Sequence, residues 1–415
     1  MVNFQKHTLD NGLTVIAHCD DSTPMVTVNM LYKVGSRNEH PDRTGFAHLF
    51  EHLMFGGSVN APQYDMHVQL AGGECNAFTT ADFTSYYVTL PAQNIETALW
   101  LESDRLLNPL LNEETLRIQQ HVVVEEFNQR YLNQPYGDIN LLLRPLAYKV
   151  HPYRWHTIGK TTDHITTATL SDVRSFFTKF YAPNNAALAI GGNILPDRAL
   201  ALAQRWFADI PRGSSPERCI TPEPPQVAPR SLSVQRSVPA AAIFRAYHMP
   251  HRHHPDYHAC DLITDILSGG KSSRLYRRMV QEEPLFSSIT SCISGDMDAG
   301  LLTISGYLLQ HTSMQRADAA IDNELQRLCS EDISEYELEK VKNKVEALHV
   351  FSETTAMQKV IALACAEMIG DVNLINTDIE SYRRITTSDI RRVAGSIFRK
   401  ENCSTLYYNN GNSSV

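Results

Sequence analysis

The pattern of hydrophobic and polar residues divides the chain into two halves that repeat one plan of strands and helices. The dipeptide Asn11-Gly12 between apolar runs predicts a hairpin, and apolar stretches predict strands at about 24–32 and 83–90. In the second half, the pattern predicts strands at about 231–238, 241–248, 285–295 and 301–309, helices at about 255–267 and 273–283, and three helical stretches after these. Strands and helices mixed in this way predict an α+β fold.

A proline-rich stretch separates the two halves. The regular pattern ends near Ile210, and prolines follow at positions 222, 224, 225 and 229. This composition predicts a stiff, extended connection. We therefore predict an N-terminal domain at 1–212, a linker at 213–230 and a homologous C-terminal domain at 231–415, each domain being a mostly antiparallel β-sheet packed against helices.

The most informative motif is His48-Leu49-Phe50-Glu51-His52. Residues three and four positions apart share one face of a helix, so His48, Glu51 and His52 can converge on a single point. Two neutral imidazoles suit Zn²⁺, and a carboxylate beside a metal-bound water can accept its proton. The order His-x-x-Glu-His is typical of the inverted zinc proteases.

The residues around this motif favour a metal site over two surface histidines. Apolar residues occupy positions 46, 47, 49, 50 and 53–55, so the helix is hydrophobic nearly all round and is expected to be buried. Buried polar groups need partners. A metal ion therefore explains two histidines and a glutamate in this helix better than solvent does.

A third ligand has to come from elsewhere in the chain, because an open zinc site has three protein ligands. A helical segment is predicted from about 112 to 130, and it contains His121, Glu125 and Glu126. His151 and His156 follow later. The apolar periodicity of the segment is not regular enough to choose among these residues.

The second half keeps the strand-to-helix plan but lacks the histidines. Setting Asp42 on Asp256, an offset of 214 (256 − 42), aligns the two halves by eye. The alignment pairs His48 with Leu262, Glu51 with Asp265, and His52 with Ile266. A duplicated scaffold with one metal site accounts for this difference.

Several separated segments resemble the pitrilysin family, which includes insulin-degrading enzyme and mitochondrial processing peptidase. The resemblance rests on the His48–His52 motif, on a Glu 74 residues beyond His52 (126 − 52), and on Asn133-Gln134-Pro135-Tyr136-Gly137. It also rests on Asp10-Asn11-Gly12-Leu13, Val34-Gly35-Ser36-Arg37-Asn38-Glu39, Gly72-Gly73-Glu74-Cys75-Asn76-Ala77-Phe78-Thr79, Tyr181-Ala182-Pro183-Asn184-Asn185-Ala186 and Gly269-Gly270-Lys271-Ser272-Ser273-Arg274-Leu275-Tyr276. These segments cover most of the chain, and they are most similar to the short bacterial members.

This resemblance implies a zinc-dependent metalloendopeptidase built from two homologous domains of the fold found in mitochondrial processing peptidase. It implies that Glu126 is the third ligand beside His48 and His52, that each chain holds one zinc ion, and that Glu51 is the general base. It also implies a sheet edge at Asn76, Ala77, Phe78 and Thr79, to which peptides or unfolded segments add as a β-strand.

One departure from the family pattern bears on partners. Family members usually carry an Arg, and a Tyr seven residues later, after the Ser-Ser-Arg-Leu segment. The matching positions here are Val280 and Ser287, which cannot stabilise an oxyanion. We therefore expect a heterodimer with a homologous subunit that supplies the Arg and Tyr, with a homodimer as the alternative, enclosing a chamber for peptides.

Composition excludes other classes of function. The chain of 415 residues is 43% hydrophobic and 20% charged, with a net charge of −9, which argues against a nucleic-acid-binding role and gives no polybasic membrane signal. No apolar run is long enough for a membrane span, and the first residues lack a signal-peptide pattern. Eight cysteines without a Cys-x-x-Cys pair predict reduced, mostly buried thiols. We expect a cytoplasmic protein, or a periplasmic one if a leader has been removed.

The sequence leaves three alternatives open. The histidine-rich segment 248–258 holds two prolines and is predicted to be a solvated loop with at most adventitious metal binding. A non-catalytic subunit that has kept a metal site is the main alternative to an enzyme. A structural zinc site is the third, and it requires a fourth ligand that the sequence does not reveal.

Overall fold

The computed structural model describes residues 1–214, 220–295 and 297–411. The strands are β1 Gln5–Thr8, β2 Thr14–Cys19, β3 Met25–Tyr32, β4 Glu74–Thr79, β5 Thr84–Pro91, β6 Ala186–Gly192, β7 Arg230–Arg236, β8 Ala242–Met249, β9 Phe286–Ser294, β10 Gly300–Leu308 and β11 Cys403–Asn410. The helices are α1 Phe46–Met54, α2 Tyr64–Leu70, α3 Ile95–Leu107, α4 Glu113–Phe127, α5 Ile139–Ala147, α6 Asp163–Thr166, α7 Leu170–Phe180, α8 Pro196–Phe207, α9 Tyr257–Ser268, α10 Arg274–Tyr276, α11 Met314–Ser330, α12 Glu335–Ser352, α13 Ala356–Ile369, α14 Leu374–Arg384 and α15 Thr387–Ile397. Helices α4 and α10 continue as π-helical turns, Asn128–Leu132 and Arg277–Glu282. This is the predicted α+β fold.

The first sheet has the order β1-β2-β6-β3-β5-β4. The predicted hairpin joins β1 to β2, and Gly12 takes a φ of +91° that favours glycine. Strand β6 is buried along its whole length and lies between β2, to which it is parallel, and β3. Strand β4 pairs with β5 on one side and forms the edge of the sheet. The segment predicted to be a substrate edge is therefore an edge strand.

The second sheet repeats this topology. Its order is β7-β11-β8-β10-β9, which matches β2-β6-β3-β5-β4 strand for strand. The directions match as well, because β7 and β11 are parallel, as β2 and β6 are, while the remaining neighbours are antiparallel. The duplication inferred from the sequence is thus visible in the order and direction of the strands.

Two compact units contain these sheets, and each unit is discontinuous along the chain. The first comprises Met1–Gln129, Trp155–Ile220 and Val350–Thr377, and the second comprises Arg130–Arg154, Thr221–His349 and Asp378–Val415. Helix α13 belongs to the first unit because it packs on β3 and β6, where Gly191 leaves room for the Val360 side chain. Helix α5 belongs to the second unit because it packs on β7, β8 and β11. The continuous domains predicted at 1–212 and 231–415 follow the internal sequence repeat, whereas each packed unit combines separate segments of the chain. The predicted domain boundaries stay a proposal.

The end of the chain corrects one sequence expectation. The pattern predicted three helical stretches after β10, whereas the described residues contain α11 to α15 followed by β11. Strand β11 was not predicted, and it pairs with both β7 and β8 inside the second sheet. Its sequence, Cys-Ser-Thr-Leu-Tyr-Tyr-Asn-Asn, is too polar for an apolar-run criterion to detect.

Several other expectations concern cysteines, the linker and membranes. No disulfide joins the described cysteines, but only Cys260 of them is buried, and Cys19 and Cys292 are exposed, so the prediction of mostly buried thiols was wrong. Cys219 and part of the predicted linker, 215–219, lie outside the described residues. Within the described chain, no single helix has the length and hydropathy to cross a membrane. Helices α13 and α14 taken together have the length and composition of a membrane span, but they are bent by 73° at their junction.

Candidate metal centre

Helix α1 carries the motif, and its first turn is held by a buried carboxylate. Glu39 accepts hydrogen bonds from the backbone N–H groups of Gly45, at 2.9 Å, and Ala47, at 2.8 Å. These are donors that the start of a helix leaves without intrahelical partners, and a negative charge there is also favoured by the helix dipole. Burial nevertheless raises the pKa of Glu39 to about 8, against the lowering effect of these hydrogen bonds. Gly45 takes a φ of +90° at the helix start.

The apolar residues of α1 face the core, and the motif faces outward. Phe46, Ala47, Leu49, Phe50, Leu53 and Met54 are buried. The His48 and His52 side chains are 13% and 25% exposed, so both remain accessible from one side. The helix is therefore buried as expected, except for the face that carries the candidate ligands.

Helix α4 brings a carboxylate to the two histidines. Glu126 Oε2 lies 3.6 Å from His48 Nε2 and 3.4 Å from His52 Nε2, and the Glu126 side chain is 17% exposed. The two imidazole rings are 4.9 Å apart and nearly perpendicular, at 76°. Of the described residues, His48, His52 and Glu126 are the one group of three or more His, Cys, Asp or Glu side chains with ligand atoms that all lie within 4.8 Å of one another.

The spacing of these atoms fits zinc. Ligands about 2.0–2.2 Å from a tetrahedral Zn²⁺ lie roughly 3.3–3.5 Å from each other. The two imidazole–carboxylate distances, 3.4 and 3.6 Å, are close to this value. Two imidazole nitrogens and one carboxylate oxygen are also the donor set of open catalytic zinc sites. The residues present therefore fit the ion that the motif suggests.

The structure distinguishes the candidate third ligands left open by the sequence. Glu125 and His121 are exposed on α4, whereas Glu126 is half-buried and faces α1. His151 is buried elsewhere, with Nε2 3.2 Å from Asp298 Oδ2. His156 is not part of the convergent group either. The geometry thus agrees with the register that the family resemblance implies.

Glu51 lies on the same face of α1, and its partner comes from the edge strand. Thr79 Oγ1 donates a hydrogen bond of 2.6 Å to Glu51 Oε2. Thr79 is one of the residues predicted to bind substrate, and nothing in the sequence indicated that its side chain contacts Glu51. The candidate base is therefore tied directly to the sheet edge.

The other predicted substrate residues line the same strand. Asn76, Ala77 and Phe78 pair with Tyr87, Tyr86 and Ser85 of β5. Asn76 Oδ1 accepts a hydrogen bond of 2.8 Å from the Ala77 N–H. The Phe78 ring meets Phe83 edge to face, with centroids 5.8 Å apart. All of these residues lie on β4, as predicted, and the side chain that reaches the motif is that of Thr79.

A cavity of about 510 Å³ opens beside Glu51 and His52. It is lined by Glu51, His52, Phe55, Asp65, Val68, Gln69, Gly73, Glu74, Cys75 and Asn76. Burial, reinforced by the hydrogen bond of 3.3 Å from its Sγ to Asp65, raises the pKa of Cys75 to about 12, so this thiol is protonated at neutral pH. The cavity is therefore lined by carboxylates and by apolar side chains, and its cysteine is a neutral thiol.

A buried ion pair that sequence reasoning missed supports the wall of this cavity. Arg105 donates to Glu102 Oε2 at 2.6 Å, and both side chains are almost fully buried. The guanidinium lies over the rings of Tyr64 and Tyr86, at 4.7 and 4.5 Å, and these rings meet Phe55. The pairing with Glu102 is local, three residues apart on α3, but the two rings that cover the guanidinium come from other segments, so no local pattern marks this arginine as buried.

The histidine-rich segment does not form a second centre among the described residues. His251, His253 and His254 are exposed, and His258 Nε2 lies 2.7 Å from Asp378 Oδ1.

Val280 and Ser287, the positions at which the family carries Arg and Tyr, have structural contacts. Val280 packs against the core of the second unit, and Ser287 Oγ donates to the Tyr307 carbonyl at 3.1 Å. Neither position offers the cationic or phenolic donor found in the family.

The chain is similar to known zinc proteases over most of its length. Residues 14–150 match the family model described as "Insulinase (Peptidase family M16)", and residues 167–345 match "Peptidase M16 inactive domain". Zinc protease PqqE of Helicobacter pylori is 29% identical over 96% of this chain and 91% of its own length. The uncharacterised zinc protease YmxG of Bacillus subtilis is 22% identical over 99% of both chains.

Solved structures share the fold over nearly the whole chain. The crystal structure of a protease from Helicobacter pylori superposes with a TM-score of 0.94 at 26% identity, covering 99% of this chain and all of that one (100%). Pitrilysin superposes with a TM-score of 0.79 at 19% identity, covering 99% of this chain and 45% of the pitrilysin chain. On the two family matches, the similar zinc proteases and the shared two-sheet fold, this chain belongs to the pitrilysin family of bacterial peptidases, M16.

Proposed function

We propose that this chain is a zinc-dependent metalloendopeptidase that hydrolyses peptides or unfolded protein segments. The observation that carries the proposal is the convergence of His48, His52 and Glu126 beside Glu51, on a half-exposed face next to an edge strand. A structural metal site does not need a carboxylate base or a free sheet edge beside it.

His48, His52 and Glu126 would hold one Zn²⁺ per chain. When bound, Zn²⁺ polarises the scissile carbonyl and lowers the pKa of water toward neutrality. Glu126 supplies one negative charge close to both imidazoles, which favours a divalent cation over an empty site. The half-exposed face leaves access for a substrate carbonyl.

Glu51 would act as the general base. It takes a proton from the attacking water as the oxygen bonds to the carbonyl carbon, and it delivers that proton to the leaving nitrogen as the C–N bond breaks. Glu51 lies three positions after His48 on α1, so its carboxylate and the ligand set share one helical face. The hydrogen bond from Thr79 holds Oε2 on the side of β4.

Strand β4 would bind the substrate backbone. Its pairing with β5 uses one edge, and an added peptide strand can hydrogen-bond to the other. Only an extended segment can add in this way, so folded proteins are poor substrates. Asn76, Ala77, Phe78 and Thr79 would contribute the backbone contacts, and the neighbouring cavity would receive a side chain.

A heterodimer is the second part of the proposal. Val280 and Ser287 occupy the positions at which the family carries Arg and Tyr. A homologous subunit would supply this pair, and a homodimer is the alternative assembly. We further propose a cytoplasmic location, with which the reduced thiols of the described cysteines are consistent.

A non-catalytic subunit is the competing function. It is favoured by the match of residues 167–345 to a domain described as inactive and by the missing Arg and Tyr. That match lies outside the stretch that carries His48, Glu51, His52 and Glu126, which the other family model covers. The four residues are intact, so we regard the enzyme as the better-supported function.

The test combines metal content with cleavage. The purified chain should contain about one zinc per chain and should cut unfolded peptides, with loss of cleavage on chelation and recovery on adding zinc. The peptide set should be screened with and without the homologous subunit. Stoichiometric zinc with no cleavage in either condition would support the non-catalytic subunit instead.

A further inference from the structure

The Thr79 side chain contacts the proposed base directly. We infer that Thr79 is a positioning residue that holds the Glu51 carboxylate toward the substrate, in addition to lying on the strand that binds it. Its hydroxyl donates to Glu51 Oε2 at 2.6 Å. The inference rests on the proposed function, in which Glu51 is the base.

A glutamate needs such a partner, because its side chain is long and flexible. Fixing a side chain of this kind costs free energy through lost rotamer freedom, and a base that points away from the reacting atoms is ineffective. A threonine in a strand is stiff, because its branched Cβ restricts χ1. The hydrogen bond therefore restricts the Glu51 carboxylate to a position set by the threonine on β4.

Thr79 is itself held in place by the tight hairpin that follows it. Thr79 pairs with Thr84 at the end of β4 and β5. In the turn, Thr80 Oγ1 accepts hydrogen bonds from the N–H groups of Asp82 and Phe83, at 3.1 and 3.0 Å. The Thr80 N–H donates to the Phe83 carbonyl at 2.8 Å. The hairpin therefore fixes the position of the Thr79 hydroxyl.

The loop 35–39 clamps this hairpin. The N–H groups of Ser36 and Arg37 donate to the carbonyls of Thr80 and Ala81, at 3.2 and 2.9 Å. Arg37 Nε lies 3.1 Å from Asp82 Oδ1, and both side chains are buried. A side chain at Gly35 would place its Cβ 2.5 Å from the Ala81 backbone, so the close approach requires glycine.

The same loop also anchors α1. Glu39, its last residue, accepts the two backbone hydrogen bonds at the start of the helix that carries Glu51. One short segment thus holds the hairpin that presents Thr79 and the helix that presents Glu51. Both ends of the Thr79–Glu51 hydrogen bond are therefore held by contacts inside the first unit.

The decisive experiment compares two substitutions of Thr79. Thr79→Val keeps the branched shape and removes the hydroxyl, and Thr79→Ser keeps the hydroxyl. With zinc content unchanged, we expect Thr79→Val to lower kcat by about 10- to 100-fold with KM nearly constant, and Thr79→Ser to restore most of kcat. In a Glu51→Gln background, Thr79→Val should have no further effect. Thr14→Val is the matched control, because Thr14 is a half-buried threonine of β2 in the same sheet, with three strands between it and β4.

The outcomes separate this inference from the proposed function. An increase in KM at unchanged kcat would overturn it and make Thr79 a substrate contact only. Multiplicative losses in the double variant would also overturn it. Full activity of Glu51→Gln would instead defeat the proposed function. If Thr79→Val does not fold, crystal structures of the wild type and Thr79→Ser remain decisive, because a Glu51 carboxylate turned away from residue 79 in both would contradict the inference.

Discussion

Helices α1 and α9 occupy equivalent places in the two repeats, yet they have opposite surroundings. Each follows the third strand of the five-strand order that the two sheets share, β3 or β8. His48 and His52 are partly exposed on α1, whereas the aligned Leu262 and Ile266 of α9 are fully buried in the core of the second unit. The scaffold is the same, and only one copy leaves this helix face open.

The aligned carboxylates show what an open face makes possible. Asp265, opposite Glu51 in the alignment, lies 2.6 Å from the ammonium group of Lys344. Glu51 instead accepts a hydrogen bond from the neutral Thr79 hydroxyl and lines a cavity. A carboxylate paired with a lysine is a weaker base than one that accepts a hydrogen bond from a neutral hydroxyl, because the cation stabilises the charged form more strongly. Whether such a helix can form a catalytic site thus depends on the residues that contact its carboxylate as much as on the motif itself.

The largest effect should come from replacing a ligand, with the aligned core residue as the contrast. His48→Ala should reduce zinc from about one per chain to near zero and abolish cleavage. Leu262→Ala should leave zinc in place and reduce the free energy of unfolding by about 2–5 kcal/mol, because it opens a cavity. Metal analysis and denaturant unfolding measure the two effects. Retention of zinc in His48→Ala would contradict the assignment.

The aligned carboxylates give the next comparison. Glu51→Gln should keep zinc and lower turnover by on the order of 10²–10⁴-fold, because the base is lost. Asp265→Asn should leave turnover unchanged, because Asp265 pairs with Lys344 in the second unit. Peptide hydrolysis by the two purified variants tests this. Equal losses in both would mean that the effect of Glu51 is structural.

The second repeat also differs from the family at Val280 and Ser287. This difference predicts that a partner subunit raises the peptidase rate. Positioned donors at a developing oxyanion contribute about 10²–10³-fold in rate. Adding a homologous chain that carries the Arg and Tyr should therefore raise peptidase activity by about this factor. A partner with both residues replaced by Val and Ser is the control. Full activity of the isolated chain, without a gain, would show that other residues do this work.

Adjacent glutamates on α4 test the register of the site. Glu126→Gln should weaken zinc binding by more than the roughly 10- to 100-fold loss typical of an outer-shell partner. Glu125→Gln should leave the affinity nearly unchanged, because Glu125 is exposed and outside the convergent group. Competition with a zinc chelator measures both constants. The reverse order would place the third ligand one residue earlier.

The smallest predicted effect concerns the anchor of α1, which α9 does not share. Burial raises the pKa of Glu39 from 4.5 to about 8. Between these values the folded protein keeps a proton that the unfolded chain has released, so the free energy of unfolding falls as the pH rises through this window. Glu39→Gln should flatten this slope in zinc-free protein, and Glu125→Gln should not. If the free energy of unfolding changes with pH in the same way for the wild type and for Glu39→Gln, Glu39 does not titrate in this range.

The local part of the site was predictable from sequence, and the part assembled from distant segments was not. The spacing of His48, Glu51 and His52 requires only a helix, and the Asn11-Gly12 turn requires only two residues. Choosing Glu126 over Glu125 depended on how α4 packs against α1, which the irregular periodicity of α4 does not encode. The contact from Thr79 to Glu51 depended on the clamp between a loop and a hairpin.

The fold shows the same division. Strands β3, β5, β8, β9 and β10 were predicted close to their observed bounds, because their apolar patterns are local. Strand β11 was missed, because its polar sequence becomes a strand only between β7 and β8. The assignment of α13 to the first unit depends on β3 and β6, which precede it by more than a hundred residues.

The late position of α13 and β11 has a consequence for biosynthesis. The first sheet lacks one of its covering helices until Ala356–Ile369 has been made, and the second sheet lacks an internal strand until Cys403–Asn410 has been made. A growing chain holds the His48 motif long before either unit can be completed. Contacts between segments so far apart in sequence form slowly, and an unfinished sheet exposes edges that promote aggregation. Neither unit can therefore be completed before its late segment has been synthesised, and until then the unfinished sheets can associate with other chains.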